Sequence, residues 1–192
     1  PGNESDVAIS IETRDTGEAA DQRRGRFAGS RDPLRFARWL QELFPGAQLT
    51  GEPKMQLVPG RDPTIVKIEG TISKSALASG GGVGTYPGEL GWAARMVPGG
   101  TRHGPLKVNV RPDLEWSLEV DLGRPPKTLP TAVELDTPFG SLHITTARLS
   151  NGYRVDGSLH FESGVFDAEE VVGLREFLVT VERHLERRLE AP

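Results

Sequence analysis

The stretch NGYRVDGSLHFESGVFDAEEVVGLREFLVTVERHLERRLE, residues 151–190, decides the fold. Tyr153, Val155, Leu159 and Phe161 take alternate positions, and Arg154, Asp156, Ser158, His160 and Glu162 take the other face, which is the pattern of a half-buried strand. The period then changes. Asp167 opens an Asp-x-x-Glu capping box with Glu170, and Val171, Leu174, Leu178, Val181, Leu185 and Leu189 follow in steps of three and four. Such a stripe predicts a helix of about six turns, roughly 35 Å at 1.5 Å per residue. A helix that long needs a surface to lie on, and the β-rich middle of the chain supplies it.

Working outward, Asn151-Gly152 predicts a hairpin whose two loop residues both have positive φ. Counting back from that loop sets Ile144 opposite Leu159, Leu142 opposite Phe161 and His143 opposite His160. Upstream, Leu114, Trp116, Leu118, Val120 and Leu122 give the most regular alternation in the chain. Strands are also predicted at 106–110, 133–135 and 140–149, with Arg111-Pro112-Asp113 as a turn and Pro125, Pro126 and Pro130 enforcing an extended link. Val7, Ile9 and Ile11 predict a first strand. Asp32-Pro33 starts a helix with Leu34, Ala37, Leu40, Leu43 and Phe44 as its buried face, and strands follow at 49–58 and 66–72. The expected fold class is therefore α+β and β-rich. A small strand-helix-strand-strand unit (1–75) is joined by a glycine-rich connecting segment (76–104) to an antiparallel β-sheet or sandwich with a long C-terminal helix (105–192).

Composition narrows the function. The chain has 192 residues, 36% of them hydrophobic, and a net charge of −4, so it has material for a core and no general attraction to nucleic acid. It contains no cysteine, which removes disulfides, thiolate metal sites and cysteine nucleophiles. No apolar run is long enough to cross a membrane as a helix. The opening Pro-Gly without Met reads as the start of a piece of a longer protein.

Five constellations invite chemistry. Arg23, Arg24, Arg26 and Arg31 could bind phosphate, but acids are mixed among them and no aromatic platform accompanies them, so a solvated surface is favoured. The run Ser79-Gly80-Gly81-Gly82-Val83-Gly84 lacks the Lys-Ser or Lys-Thr of a phosphate loop and reads as a mobile connection, with Leu90 to Val97 as an apolar cover for a core edge. His143 and His160, with Glu162 on the same face, have the donor types of a divalent-metal site, but the third ligand is uncertain and a surface or packed histidine pair is favoured. Trp92 and Tyr86 could stack on a sugar ring, as carbohydrate-binding sandwiches do, but packing into the core is favoured. Asp156, Ser158 and His160 do not make a triad, because alternate residues of one strand sit roughly 7 Å apart.

Several short motifs carry a family resemblance. They are Gly17-Glu18-Ala19-Ala20 with Arg23-Arg24, Arg61-Asp62-Pro63, Arg102-His103-Gly104-Pro105-Leu106, Leu129-Pro130 with Thr137-Pro138-Phe139-Gly140, Asn151-Gly152-Tyr153 and Leu174-Arg175-Glu176-Phe177-Leu178. In their order the chain resembles the β-rich region of unknown function that follows the transglutaminase-like core in large bacterial proteins. The resemblance implies that the catalytic cysteine, histidine and aspartate belong to that upstream core and that none carries over here. It also implies an exported or envelope-associated, periplasmic setting. The expectation is a non-enzymatic accessory or scaffolding module without a cofactor, whose partner is another protein or the rest of its own polypeptide. A carbohydrate-binding module and a metal site are the alternatives.

Overall fold

The computed structural model describes residues 6–27, 33–56, 63–79, 83–88, 90–97, 104–109, 112–186 and 188–189. In chain order, β1 (Asp6–Thr16) runs into α1 (Gly17–Phe27) and α2 (Pro33–Leu43), followed by β2 (Gln48–Leu49), β3 (Lys54–Gln56), β4 (Thr64–Ser73) and α3 (Lys74–Ser79). Next come β5 (Val83–Gly84), α4 (Trp92–Met96), β6 (Leu106–Val108), β7 (Pro112–Asp121), β8 (Val133–Thr137), β9 (Gly140–Arg148) and β10 (Gly152–Phe161). The last elements are β11 (Gly164–Phe166), α5 (Ala168–Leu185) and β12 (Arg188–Leu189). Arg31, Asp32, His103 and Arg111, each singled out in the sequence, lie outside the described residues.

One antiparallel sheet of eight strands organises the chain, in the order β2-β4-β1-β7-β10-β9-β8 with β3 also paired to β4. β1 is flanked by β4 and β7, so stretches 1–75 and 105–192 contribute adjoining strands to the same sheet. Side chains alternate across it. Ile11, Ile68, Leu118 and Val155 meet in register on the inward face, each 1% exposed or less. On the outward face Arg14 pairs with Glu115 at 3.8 Å and Arg154 with Asp156 at 2.8 Å, exposed pairs that contribute little to stability. Among the described residues the helices cover the inward face. The architecture is thus a sheet with a helical layer, and not a sandwich.

The C-terminal helix takes the apolar face of β10, with Phe177 edge-on to Phe161 at 5.9 Å. Its capping box is complete: the Asp167 carboxylate accepts from the amides of Glu169 and Glu170 at 3.0 and 2.9 Å, and the Glu170 carboxylate accepts from Asp167 N at 2.9 Å. The buried stripe is Val171, Leu174, Phe177, Leu178, Val181 and Leu185. Leu189 is not part of it. The helix ends after 18 residues, about 27 Å, and Leu189 pairs with Val83 in the small β12–β5 sheet.

The hairpin differs from the expected one by two residues. Leu149 N donates to Gly152 O at 2.8 Å, and Tyr153 faces Arg148, which leaves Ser150 and Asn151 as the loop. Gly152 lacks positive φ and is required for another reason: it faces Asp121 on β7, where a Cβ would overlap the Val120 carbonyl. A shift of two keeps every side chain on its expected face.

Three further elements depart from the sequence reading. Residues 17–27, expected to be solvated surface, form α1, which packs Phe27 against Phe36 with ring centroids 4.4 Å apart and against Trp39 at 5.6 Å. These contacts rotate α2, so that Phe36, Trp39 and Leu40 are buried and Leu34 is 64% exposed. Pro112, expected in a turn, begins β7, a strand position where its missing amide costs no ladder bond. Val83, Trp92, Ala93 and Val97 join the core, as the expected cover for a core edge requires. Leu178, fully buried at the centre of α5, gives a test of the helical layer. Leu178→Ala is expected to lower unfolding free energy by ~3 kcal/mol in chemical denaturation.

Candidate functional site

The histidines come first, because the register decides them. His160 stands opposite Ser141 on β9 and opposite Asp113 on β7, while His143 stands opposite Ser158 and Glu134. With strand order β7-β10-β9-β8, each ring turns to the strand away from the other. His160 Nδ1 bonds the Asp113 carboxylate and its Nε2 meets Glu162 Oε1 at 3.2 Å, while His143 Nε2 meets Asp136 Oδ1 at 3.0 Å. The Asp113 hydrogen bond, with a smaller one to Glu162, raises the His160 pKa above the ordinary histidine range. Both of its nitrogens are engaged on opposite sides of the ring. The expected set of His143, His160 and Glu162 does not converge, and no cluster of three His, Cys, Asp or Glu side chains suited to a metal occurs among the described residues.

A different site emerges on the inward face. The apolar pattern of β1 turns polar at its end, from Val7, Ile9 and Ile11 to Thr13 and Asp15, which are 2% and 1% exposed. Thr64, on β4 opposite Asp15, is also fully buried. Helix α1 closes over this end and meets the polar strand ends with arginine. Arg23 Nε donates to Asp15 Oδ2 at 2.6 Å, and Arg24 Nη1 donates to Thr64 Oγ1 at 3.1 Å. The Arg23 guanidinium also lies over the Trp39 ring, 4.6 Å from its centroid. Burial pushes the Asp15 carboxyl above its usual range, and Arg23 offsets this only in part.

Beside this buried pair opens a cleft of about 820 Å³. Its α1 wall carries Arg23 and Arg26, and the facing wall carries Tyr86, Trp92 and Arg95. Lys107, Val108 and Asn109 form a further side. The size suits a small molecule or a short segment of chain. Arg26 is tied to Glu42, but no carboxylate is among the described lining residues. The site is cationic inside a chain of net charge −4.

Trp92 and Tyr86 come together here, and their rings serve the core, the reading favoured in the sequence over a sugar platform. Trp92 is 9% exposed and packs edge-on to Tyr86 at 5.7 Å and to Phe161 at 5.4 Å. Tyr86 in turn meets Trp116 at 5.0 Å. Two members of the arginine cluster, Arg23 and Arg26, line the cleft together with Trp39, Tyr86 and Trp92, which are distant along the chain. One local signal for α1 was present: Ala20, Arg23, Arg24 and Phe27 fall at helical spacing, with arginine stems in place of apolar side chains.

The buried Asp15–Arg23 pair makes a defined prediction. Removing either partner leaves a charge without compensation, so Asp15→Asn or Arg23→Leu alone is expected to cost ~3 kcal/mol in denaturant unfolding. The double replacement Asp15→Leu with Arg23→Leu is expected to cost less than either single change.

No curated protein and no solved structure matches the chain at a significant level. A family model does match, over residues 92–191, just over half of the chain. The matched span includes the cleft residues Trp92, Arg95 and Lys107, whereas Arg23 and Trp39 precede it. The chain therefore belongs to the family described as a domain of unknown function with solved structure, DUF3858.

Proposed function

We propose that this chain is a non-catalytic accessory module of a larger bacterial transglutaminase-like envelope protein, and that it works by binding a protein partner or another part of its own polypeptide. The observation that carries the binding role is the open cationic cleft, whose walls come from α1, α4 and β6. A cleft of about 820 Å³ built on a rigid sheet is a place to hold something. Its non-catalytic character and its envelope setting rest on the motif resemblance, which assigns the catalytic residues to a core outside this chain. Carbohydrate binding is the weaker reading, because the ring of Trp92 packs edge-on into the core and Arg23 covers a face of Trp39.

The full-length gene product tests this role. It is expected to carry a cysteine-histidine-aspartate core upstream, and cross-linking mass spectrometry is expected to join Lys107 to a second protein segment. An unrelated upstream neighbour overturns the placement. Saturable binding to peptidoglycan strands that is lost in Trp92→Ala overturns the protein-partner reading.

A further inference from the structure

We propose that the cleft receives an extended, acidic peptide segment, which adds as a strand to the free edge of β6. This rests on the partner-binding reading and names the chemistry of the partner. The first argument is the geometry of β6. Along that strand Leu106 and Val108 are buried while Lys107 and Asn109 are exposed, the alternation of an extended chain. Yet Lys107, Val108 and Asn109 all line the cleft. A strand that turns its edge to a space brings successive residues to the border of that space. Among the described residues β6 pairs with β11 alone, and no described strand occupies its other edge. An extended peptide satisfies such an edge by continuing the ladder.

Charge supplies the second argument. Lys107 is exposed on that edge, Arg95 is exposed on α4, and Arg23 lines the α1 wall. The bond from Arg23 to Asp15 uses Nε, and among the described residues its two terminal nitrogens have no protein acceptor. A carboxylate side chain of an incoming strand meets this need with charge-assisted bonds. The aromatic residues argue against a sugar or a nucleobase as occupant, since Trp92 and Tyr86 are packed edge-on and the Trp39 face is under Arg23.

Fluorescence anisotropy of the whole chain with a labelled Glu-Val alternating peptide of about eight residues tests the proposal. Binding is expected to saturate and to weaken with added salt, and the matching Lys-Val peptide is expected not to bind. Lys107→Glu with Arg95→Glu, both exposed and outside the buried Asp15–Arg23 pair, is expected to weaken binding about tenfold with an unchanged circular dichroism spectrum. N-methylation of alternate amides in the peptide is expected to weaken it about tenfold as well, a loss that charge attraction alone does not produce. The proposal is overturned by absence of saturable binding, by equal affinity in the charge-reversed variant, or by equal affinity of the N-methylated peptide. Tighter binding of a glucuronate oligosaccharide or a single-stranded DNA of equal charge overturns it too. Any of these results removes this occupant, while the accessory role is decided separately by the full-length product.

Discussion

The indole of Trp116 lies directly on Gly157 of the neighbouring strand, and much of the molecule depends on that contact. Gly157 and Trp116 face each other across β10 and β7, and a Cβ at 157 would occupy the space of the indole ring. With the ring held flat against the strand, its Nε1 donates to Thr85 O at 3.0 Å, and its edge meets Tyr86. Tyr86 leads to Trp92, Trp92 to Phe161, and Phe161 to Phe177 on α5. One missing side chain thus seats a chain of rings from the sheet through the glycine-rich segment to the C-terminal helix. Each such pair is worth about 1 kcal/mol beyond the area it buries.

The same relay positions the cleft. Tyr86 and Trp92 form one wall because Trp116 and Phe161 hold them there, and α4 brings Arg95 with it. The opposite wall has a different origin. The inward face of β1 becomes polar at Thr13 and Asp15, so its end cannot be closed by apolar side chains, and α1 answers with Arg23. A buried ion pair of this kind contributes little net stability against its desolvation. Its consequence is positional: a guanidinium is fixed at the floor of an aromatic-walled space, over Trp39.

How much of this was legible in the sequence follows from the range of each interaction. The alternation at 114–122 and 153–161 and the capping box at Asp167 are local patterns, and they carry β7, β10 and the start of α5, whereas the sheet face that α5 covers depends on packing and is not written in them. The hairpin register was misread because Asn-Gly has two uses. Gly152 answers to the approach of β7, which no local pattern encodes, and so His143 and His160 were set opposite one another in error. The helical face at 33–44 was rotated for the same kind of reason, since Phe27 decides which side of α2 is inside. The cleft was the least legible. Its residues are as far apart in the chain as Arg23, Trp39, Tyr86, Arg95 and Lys107, and only the folded sheet makes them neighbours.

Val83, Trp92, Ala93 and Val97 of the glycine-rich segment belong to the core, and Trp116 holds them there. Native-state hydrogen exchange on Gly157→Ala tests it most directly, with the amides of 83–97 as the readout. The account predicts a loss of ~2 kcal/mol in global stability and a larger loss of protection over 83–97 than over β1 and β4, because a displaced indole releases that segment first. Unchanged stability with unchanged protection at 83–97 would contradict it.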